Sequence, residues 1–192
     1  IRALGTLKKA AALTNFELGN LDENIAELIC TAADEVIAGK LNAHFPLHIW
    51  QTGSGTQTNM NANEVISNRA IELAGGVMGS KNPVHPNDHV NMSQSTNDTY
   101  PTALLVGFLK EYDPLLEAIK ALSDSFHAKG VEFAGVIKMG RTQLQDAVPM
   151  SLGQEFTAFG HTLLDDIKRL EEMSQLFLEV NLGATAIGTG IN

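Results

Sequence analysis

The chain has 192 residues, of which 44% are hydrophobic and 18% are charged, and its formal net charge is -9 at pH 7. This composition is typical of a globular chain with a substantial core and excludes an intrinsically disordered one. The negative net charge argues against a nucleic-acid partner, which would favour a basic surface. No apolar run approaches the roughly 18 residues of a membrane span, so a membrane partner is not expected. The single cysteine, Cys30, cannot form an internal disulfide, which favours a cytoplasmic protein.

The first two clear helical patterns have recognisable start and stop signals. A segment with apolar residues at helical spacing follows Asn20, which with Glu23 predicts a capping box, and Gly39 is its predicted end. A second capping box is predicted at Asn61 and Glu64, before another helical pattern. Both segments are therefore expected to be helices with one buried face.

The second half of the chain is predicted to form longer helices. Asp98 or Thr99 is the expected cap of one helix, with Pro101 in its first turn. The stripe Leu152–Val180 has apolar residues every three or four positions, and at ~1.5 Å per residue it would span about 42 Å. A short strand pair is expected within residues 137–147. Long striped helices are typical of bundles, so the predicted fold is mainly α.

Three polar stretches are rich in hydroxyl and amide side chains, namely residues 53–59, 93–98 and 140–146. Each lies shortly before a predicted helix, or at its start, where free N–H groups and the helix dipole favour anions. Neutral donors can bind a carboxylate without the cost of burying a second charge. Any one stretch alone is better explained as a helix cap. Three together predict a site for a small acid with more than one negative charge.

Other patterns are weaker. His44 and His48 have the i,i+4 spacing of a helical metal pair, as do His85 and His89, but a proline lies between the members of each pair. The glycine-rich segment 183–190 resembles a dinucleotide fingerprint, yet it follows a predicted helix and not a strand. Neither a metal nor a cofactor is therefore predicted.

The polar stretches belong to longer motifs that closely resemble the fumarase/aspartase superfamily. The motifs are GSGTQTNMNANEV (53–65), HPNDHVNMSQSTND (85–98), KMGRTQLQDAVPMSLGQEF (138–156) and GATAIGTGIN (183–192). The resemblance covers essentially the whole chain. It implies an N-terminal helical domain over residues 1–94, incomplete at its start. It also implies the first part of a truncated central helix-bundle domain over residues 95–192.

The resemblance also implies a site for a four-carbon dicarboxylate, with L-aspartate and fumarate as the candidate substrates. The positions implied to bind substrate are Ser54, Gly55, Thr56, Ser95, Thr96, Asn97, Thr142 and Gln143. The implied reaction is an anti elimination, in which a base removes a proton beside one carboxylate and an aci-carboxylate forms before the leaving group departs. The donors suit this intermediate because its carboxylate gains negative charge.

Two features of the family are not contained in this chain. The family base is a serine on an SS-x-x-P-x-K-x-N loop, and no such loop occurs in the sequence. The catalytic residue therefore stays unassigned, and the chain is expected to be a fragment that is inactive alone. The family also builds each active site from three subunits, so the resemblance implies a homotetramer for the complete protein.

Few positions distinguish the two main activities of the superfamily. Gln143 stands where fumarases carry histidine, Met92 where lysine is common in fumarases, and Ala184 where fumarases usually carry glycine. His85, in contrast, is fumarase-like and is associated there with a second, peripheral dicarboxylate site. On balance we expect a C–N lyase that releases ammonia from L-aspartate to give fumarate.

Two alternatives remain open at this point. One is fumarate hydratase, a C–O lyase of the same superfamily. The other is a helical scaffold without activity, since the superfamily includes structural proteins of the lens. The donor-rich stretches weigh against a scaffold because it would not need them.

Overall fold

The computed structural model describes residues 1–48, 51 and 53–191. The helices and strands, in chain order, are α1 (Arg2–Glu17), α2 (Glu23–Ile37), α3 (Thr56–Leu73), α4 (Thr96–Glu132), β1 (Ile137–Thr142), β2 (Gln145–Ser151) and α5 (Leu152–Ser174). Short 3-10 turns cover Asn42–His44 and Gln175–Leu178, and a π-helical turn covers Pro86–Val90. The predicted mainly α fold is therefore confirmed.

The chain divides into two compact units. The first contains residues 1–107 and 180–192, and the second contains residues 108–179. This division reflects local compactness, whereas the boundary expected at residue 94 concerns family domains and stays a prediction. None of the helices in the described part of the chain combines the length and hydropathy that a membrane span requires.

The core of the first unit is built from small and branched apolar side chains of α1, α2 and α3. Ala32, Ala33, Ala62 and Ala70 are all fully buried, and such small residues let helix backbones approach closely. Larger side chains fill the space around them, among them Leu4, Leu7, Ile29, Val36, Ile66 and Ile71. The buried faces expected for the segments of α2 and α3 are therefore confirmed, whereas α1 was not predicted.

Two predicted helix starts are wrong by a few residues. The cap of α2 is Asp22, whose Oδ1 accepts the backbone N–H of Asn24 at 2.9 Å, and not Asn20. Helix α3 begins at Thr56 after Gly55, so Asn61 lies inside the helix. A capping side chain nearer the helix, Asp22, takes the role expected of Asn20, whereas α3 begins after Gly55 without any side-chain cap.

Helix α4 also begins earlier than predicted. Its first helical residue is Thr96, so Asp98 and Thr99 lie in the first turn and do not cap it. The Asp98 carboxylate instead reaches back, and its Oδ1 accepts the backbone N–H of Ser95 at 2.9 Å. This is the role of the third helical residue in a capping box.

Helix α5 begins with a complete capping box and ends earlier than its apolar stripe. Ser151 Oγ accepts the backbone N–H of Gln154 at 3.1 Å, and Gln154 Oε1 accepts the backbone N–H of Ser151 at 2.9 Å. The helix stops at Ser174 and continues only as the 3-10 turn, so the predicted helical line to Val180 is too long.

The second unit contains the later part of α4, the hairpin and α5. The strands pair antiparallel, with Ile137 opposite Ser151, which confirms the predicted strand pair and extends it. The ring of Phe126 lies 5.9 Å from that of Phe156 between the two helices. A Cβ on Gly153 would lie 2.3 Å from the carbonyl oxygen of Gly130, so the backbones touch there. Glycine is required at this contact.

Large apolar side chains are exposed on the second unit. They are Phe108, Leu115, Leu122, Val131, Val136, Ile137, Met139, Leu144, Val148, Phe159, Met173, Leu176 and Leu178. Apolar exposure on this scale is typical of a surface that is covered by another protein surface.

We therefore expect these 192 residues to self-associate in solution. Replacing Val131 and Leu176 with Lys should shift the population towards smaller species, since both side chains are more than two-thirds exposed, at 80% and 72%. The same change at Val77 and Met78, exposed residues of the first unit, is the matched control and should have little effect. Sedimentation velocity at several concentrations measures the result, and a concentration-independent monomer would contradict the expectation.

Candidate functional site

Two of the three polar stretches meet at the start of α4. Asn59, in the first turn of α3, donates from Nδ2 to Thr96 Oγ1 at 3.0 Å. Gly55 is buried, and a Cβ at that position would lie 2.3 Å from the ring of Tyr100. Its φ of 73° is also in the left-handed region that favours glycine. The N-terminal turns of two helices, with their free N–H groups, are therefore neighbours.

Six of the eight predicted binding residues have this common location. Ser54 and Thr56 are exposed, and their hydroxyl oxygens lie 3.3 Å apart. Ser95 Oγ accepts the backbone N–H of Asn97 at 3.3 Å. Both distances exceed the usual range for hydrogen bonds of these types. The group is completed by Gly55 and Thr96.

Thr142 and Gln143, the other two predicted binding residues, belong to the second unit. Thr142 is the last residue of β1, and Gln143 and Leu144 form the turn with φ values of 49° and 63°. Two consecutive positive φ values are those of a tight hairpin turn. Both predicted residues are exposed at this hairpin tip.

Asp98, which the sequence predicts only as a helix cap, connects two distant segments of the first unit. Its carboxylate is fully buried, and besides Ser95 it accepts from Thr99 Oγ1 at 3.1 Å. The other oxygen, Oδ2, accepts the backbone N–H groups of Gly183 and Thr185, each at 3.0 Å. Four donors compensate for the loss of water around the charge. The glycine-rich segment is therefore docked onto the start of α4.

Lys8 is a second buried charge, and the sequence analysis missed it. Its Nζ donates to Asn91 Oδ1 and Gln94 Oε1, both at 2.9 Å, and the side chain is fully buried. Burial lowers the pKa of Lys8 to about 7, although the Asp98 carboxylate acts in the opposite direction. The only signal in the sequence is its spacing, because Lys8 lies four residues after Leu4 on the buried face of α1.

The histidines of the segment 85–89 serve local structure. His85 Nδ1 accepts the backbone N–H groups of Asn87 and Asp88, at 3.3 and 3.1 Å. Asp88 Oδ2 lies 3.3 Å from the same nitrogen. His89 Nδ1 accepts the backbone N–H of His85 at 2.9 Å, and burial lowers the pKa of His89. Within residues 1–48, 51 and 53–191, no three potential metal ligands cluster.

Gly55 provides a test of this geometry. We expect Gly55→Ala to destabilise the protein by roughly 1–3 kcal/mol, since it combines left-handed strain with displacement of the Tyr100 ring. Gly53→Ala is the matched control, because no described atom lies within 4 Å of the added Cβ. Thermal unfolding compares the variants, and equal melting temperatures would contradict the proposed contact.

The buried Lys8 predicts a dependence of stability on pH. Its folded pKa of about 7 lies below the usual 10.5, so between these values the unfolded chain holds a proton that the folded chain has released. The contribution of Lys8 to stability therefore rises with pH in this window, by up to about 1.4 kcal/mol per pH unit. Lys8→Met should remove this slope in urea unfolding measured from pH 7 to 10.

Lys9→Met is the control for that experiment. The hydrogen bonds that Lys9 donates to the Asp34 carboxylate raise the pKa of Lys9, so both its folded and unfolded forms stay protonated through the same window. Its removal should leave the slope unchanged. A slope that survives Lys8→Met would show that the Lys8 amine keeps its proton in the folded protein.

Comparison with known proteins gives a consistent result. The chain is 56% identical to fumarate hydratase class II of Caulobacter vibrioides, covering 100% of this chain and 42% of that protein. It is 56% identical to mitochondrial fumarate hydratase of Rattus norvegicus, covering 38% of it. A fumarate lyase:delta crystallin structure from Brucella melitensis, bound to cobalt, superposes with a TM-score of 0.93 at 55% identity, over 100% of this chain and 42% of that one.

These relatives overturn the expected aspartate ammonia-lyase, because proteins 55–56% identical over the whole chain are named fumarate hydratase. The positions that favoured ammonia release follow local structure. Met92 packs against the core of the first unit, and Gln143 lies in the hairpin turn. The backbone N–H of Ala184 bonds to Asn181 in the docked segment. Three such positions are a weak basis for choosing a leaving group.

The chain spans about two fifths of the length of these relatives, with values of 38–42%. Over residues 1–192 it matches a family described as lyase. The motifs, the helical fold and these relatives agree, and the chain belongs to the lyase family of the fumarase/aspartase superfamily.

Proposed function

We propose that the complete protein is a fumarate hydratase, a C–O lyase that interconverts fumarate and malate. One structural observation carries the proposal. The bond from Asn59 to Thr96 and the contact of Gly55 with Tyr100 bring two donor-rich stretches together at two helix N-termini. Such a location favours a small anion. The names of relatives at 55–56% identity support fumarate and malate as the dicarboxylates.

The chemistry follows from the types of donor. Hydroxyl, amide and backbone N–H groups can hold a carboxylate without adding a buried positive charge. In the hydratase reaction one carboxylate of the substrate becomes an aci-carboxylate and gains negative charge. Donors that are already oriented towards it stabilise that state more than the ground state. We assign this role to Ser95, Thr96 and Asn97, and binding of the substrate to Ser54 and Thr56.

The remaining parts of the machinery lie outside the first unit. The base is proposed to come from a part of the complete protein beyond these residues, since the chain covers 42% of a fumarate hydratase of Caulobacter vibrioides. Thr142 and Gln143 are proposed to complete the site in a homotetramer whose subunits share active sites. A cytoplasmic location is likewise proposed. The alternative of a helical scaffold without activity is less well supported, because a scaffold would not need the donor-rich loops.

The proposal is tested with the complete protein. We expect fumarate to be consumed and malate formed, followed by the loss of ultraviolet absorbance of fumarate, with no ammonia released from L-aspartate. Thr96→Ala should lower kcat/KM for fumarate by about 10- to 150-fold, since a hydrogen bond to a charged group contributes roughly 1.5–3 kcal/mol. The melting temperature should change little, because the neighbouring Ser95 and Asp98 form the helix start.

Thr31→Ala is the matched control. It deletes an exposed hydroxyl that donates only to Glu27 O within α2, and it should leave turnover unchanged. A Thr96→Ala protein that is fully active but destabilised would show that this threonine serves the helix start and not the substrate.

A further inference from the structure

The buried Lys8 fixes the orientation of two amide side chains. When protonated, its nitrogen donates hydrogen bonds and accepts none, and it faces Asn91 Oδ1 and Gln94 Oε1 at 2.9 Å each. The amide nitrogens must then point elsewhere. Asn91 Nδ2 donates to Gln94 O at 3.2 Å, and Gln94 Nε2 donates to the carbonyl oxygens of Val90 and Met92. A lysine that donates therefore determines which atom of each amide faces inward.

Asn91 in turn determines the orientation of two further amide side chains, those of Asn59 and Asn63. Its Oδ1 also accepts from Nδ2 of Asn59 at 3.3 Å and from Nδ2 of Asn63 at 3.2 Å. Turning either amide around would place one oxygen against another. The oxygens of Asn59 and Asn63 are buried without a partner among the described residues. An unpaired buried oxygen is unfavourable, so these two amides hold an orientation that the network dictates.

The orientation of Asn59 determines what Thr96 can do. Besides Asn91, Asn59 Nδ2 donates to Thr96 Oγ1 at 3.0 Å. A hydroxyl oxygen that accepts from one side keeps its own proton for a different direction. Thr96 is partly exposed, whereas Asn59 is buried. The hydroxyl proton is thereby available to a ligand at the surface, and a carboxylate accepts such a proton.

We propose that Lys8 is a positioning residue that sets the direction of the relay from Lys8 through Asn91 and Asn59 to Thr96, so that the Thr96 hydroxyl is held as a donor to a carboxylate. This inference rests on the proposed dicarboxylate site. Lys8 touches no ligand itself and acts through the two amides. Its uncharged amine retains two N–H groups for Asn91 and Gln94, so the relay does not require the positive charge.

The test is a double-mutant cycle in the complete protein, with succinate as the probe because it is a dicarboxylate that cannot be hydrated. Titration calorimetry compares wild type, Lys8→Met, Thr96→Val and the double variant. We expect each single change to weaken succinate binding about 10-fold or more. The double variant should be no more than about two-fold weaker than the weaker single variant, since both changes remove the same oriented donor.

A merely structural role for Lys8 gives a different result. The two losses would then multiply to about 100-fold, as for independent sites, and this would overturn the proposal. Lys9→Met is the matched control, because it removes a neighbouring positive charge paired with Asp34 at 2.7 Å and should leave succinate binding unchanged. Loss of binding in that variant would mean that charge alone is responsible, which also overturns the relay.

Folding is checked by circular dichroism, and Asn59→Leu replaces Lys8→Met in the cycle if the latter does not fold. The same non-additivity with Thr96→Val is expected, and additivity would overturn the relay.

Fumarate turnover by the wild type separates the two proposals. If the wild type binds succinate but does not hydrate fumarate, the proposed reaction is contradicted. The double-mutant cycle on succinate binding still tests the role of Lys8. A wild type that binds no succinate contradicts both.

Discussion

Two buried charges, Lys8 and Asp98, organise the first unit around the start of α4. Removing a charge from water costs several kcal/mol unless polar partners replace the water. Asp98 obtains its partners from Ser95 and from Gly183 and Thr185, more than 80 residues later in the chain. Lys8 obtains its partners from the segment after the π-helical turn. Because a buried charged or polar group without partners is unfavourable, docking of these distant segments stabilises the unit.

Around the start of α4, the charged side chains are buried and the neutral donors are exposed. Lys8 and Asp98 face inward, whereas Ser54, Thr56 and Asn97 are exposed, neutral side chains. A site of neutral donors binds an anion with less desolvation than a lysine or arginine in the same place would need. The hydrogen bond from the buried Asn59 to Thr96 orients one of these donors, and oriented donors are the condition for electrostatic stabilisation without reorganisation. A buried polar side chain such as that of Asn59 can therefore orient a donor at the surface, in this case the Thr96 hydroxyl.

The choice of substrate illustrates how far single positions can mislead. Gln143, Met92 and Ala184 favoured ammonia release, yet each position is subject to a local constraint, namely a hairpin turn, core packing or a docked loop. Sequence identity of 55–56% is measured over all positions of the chain, and the relatives at this level are named fumarate hydratase. A position informs about substrate only when its side chain contacts the group that differs between substrates.

The sequence by itself determined helices α2 to α5, the hairpin and the donor-rich stretches, because periodicity and side-chain chemistry are local properties. It also identified six candidate binding residues that the fold brings to one place. Only the tertiary structure decided where α3 and α4 begin, which side chains satisfy Asp98, and that Lys8 is buried. Each of these depends on partners tens of residues away, such as the 83 positions that separate Lys8 from Asn91. A local sequence pattern cannot specify such a pair. Lys8 needs a hydrogen-bond partner because it is buried, and it becomes buried only when the distant segments pack together.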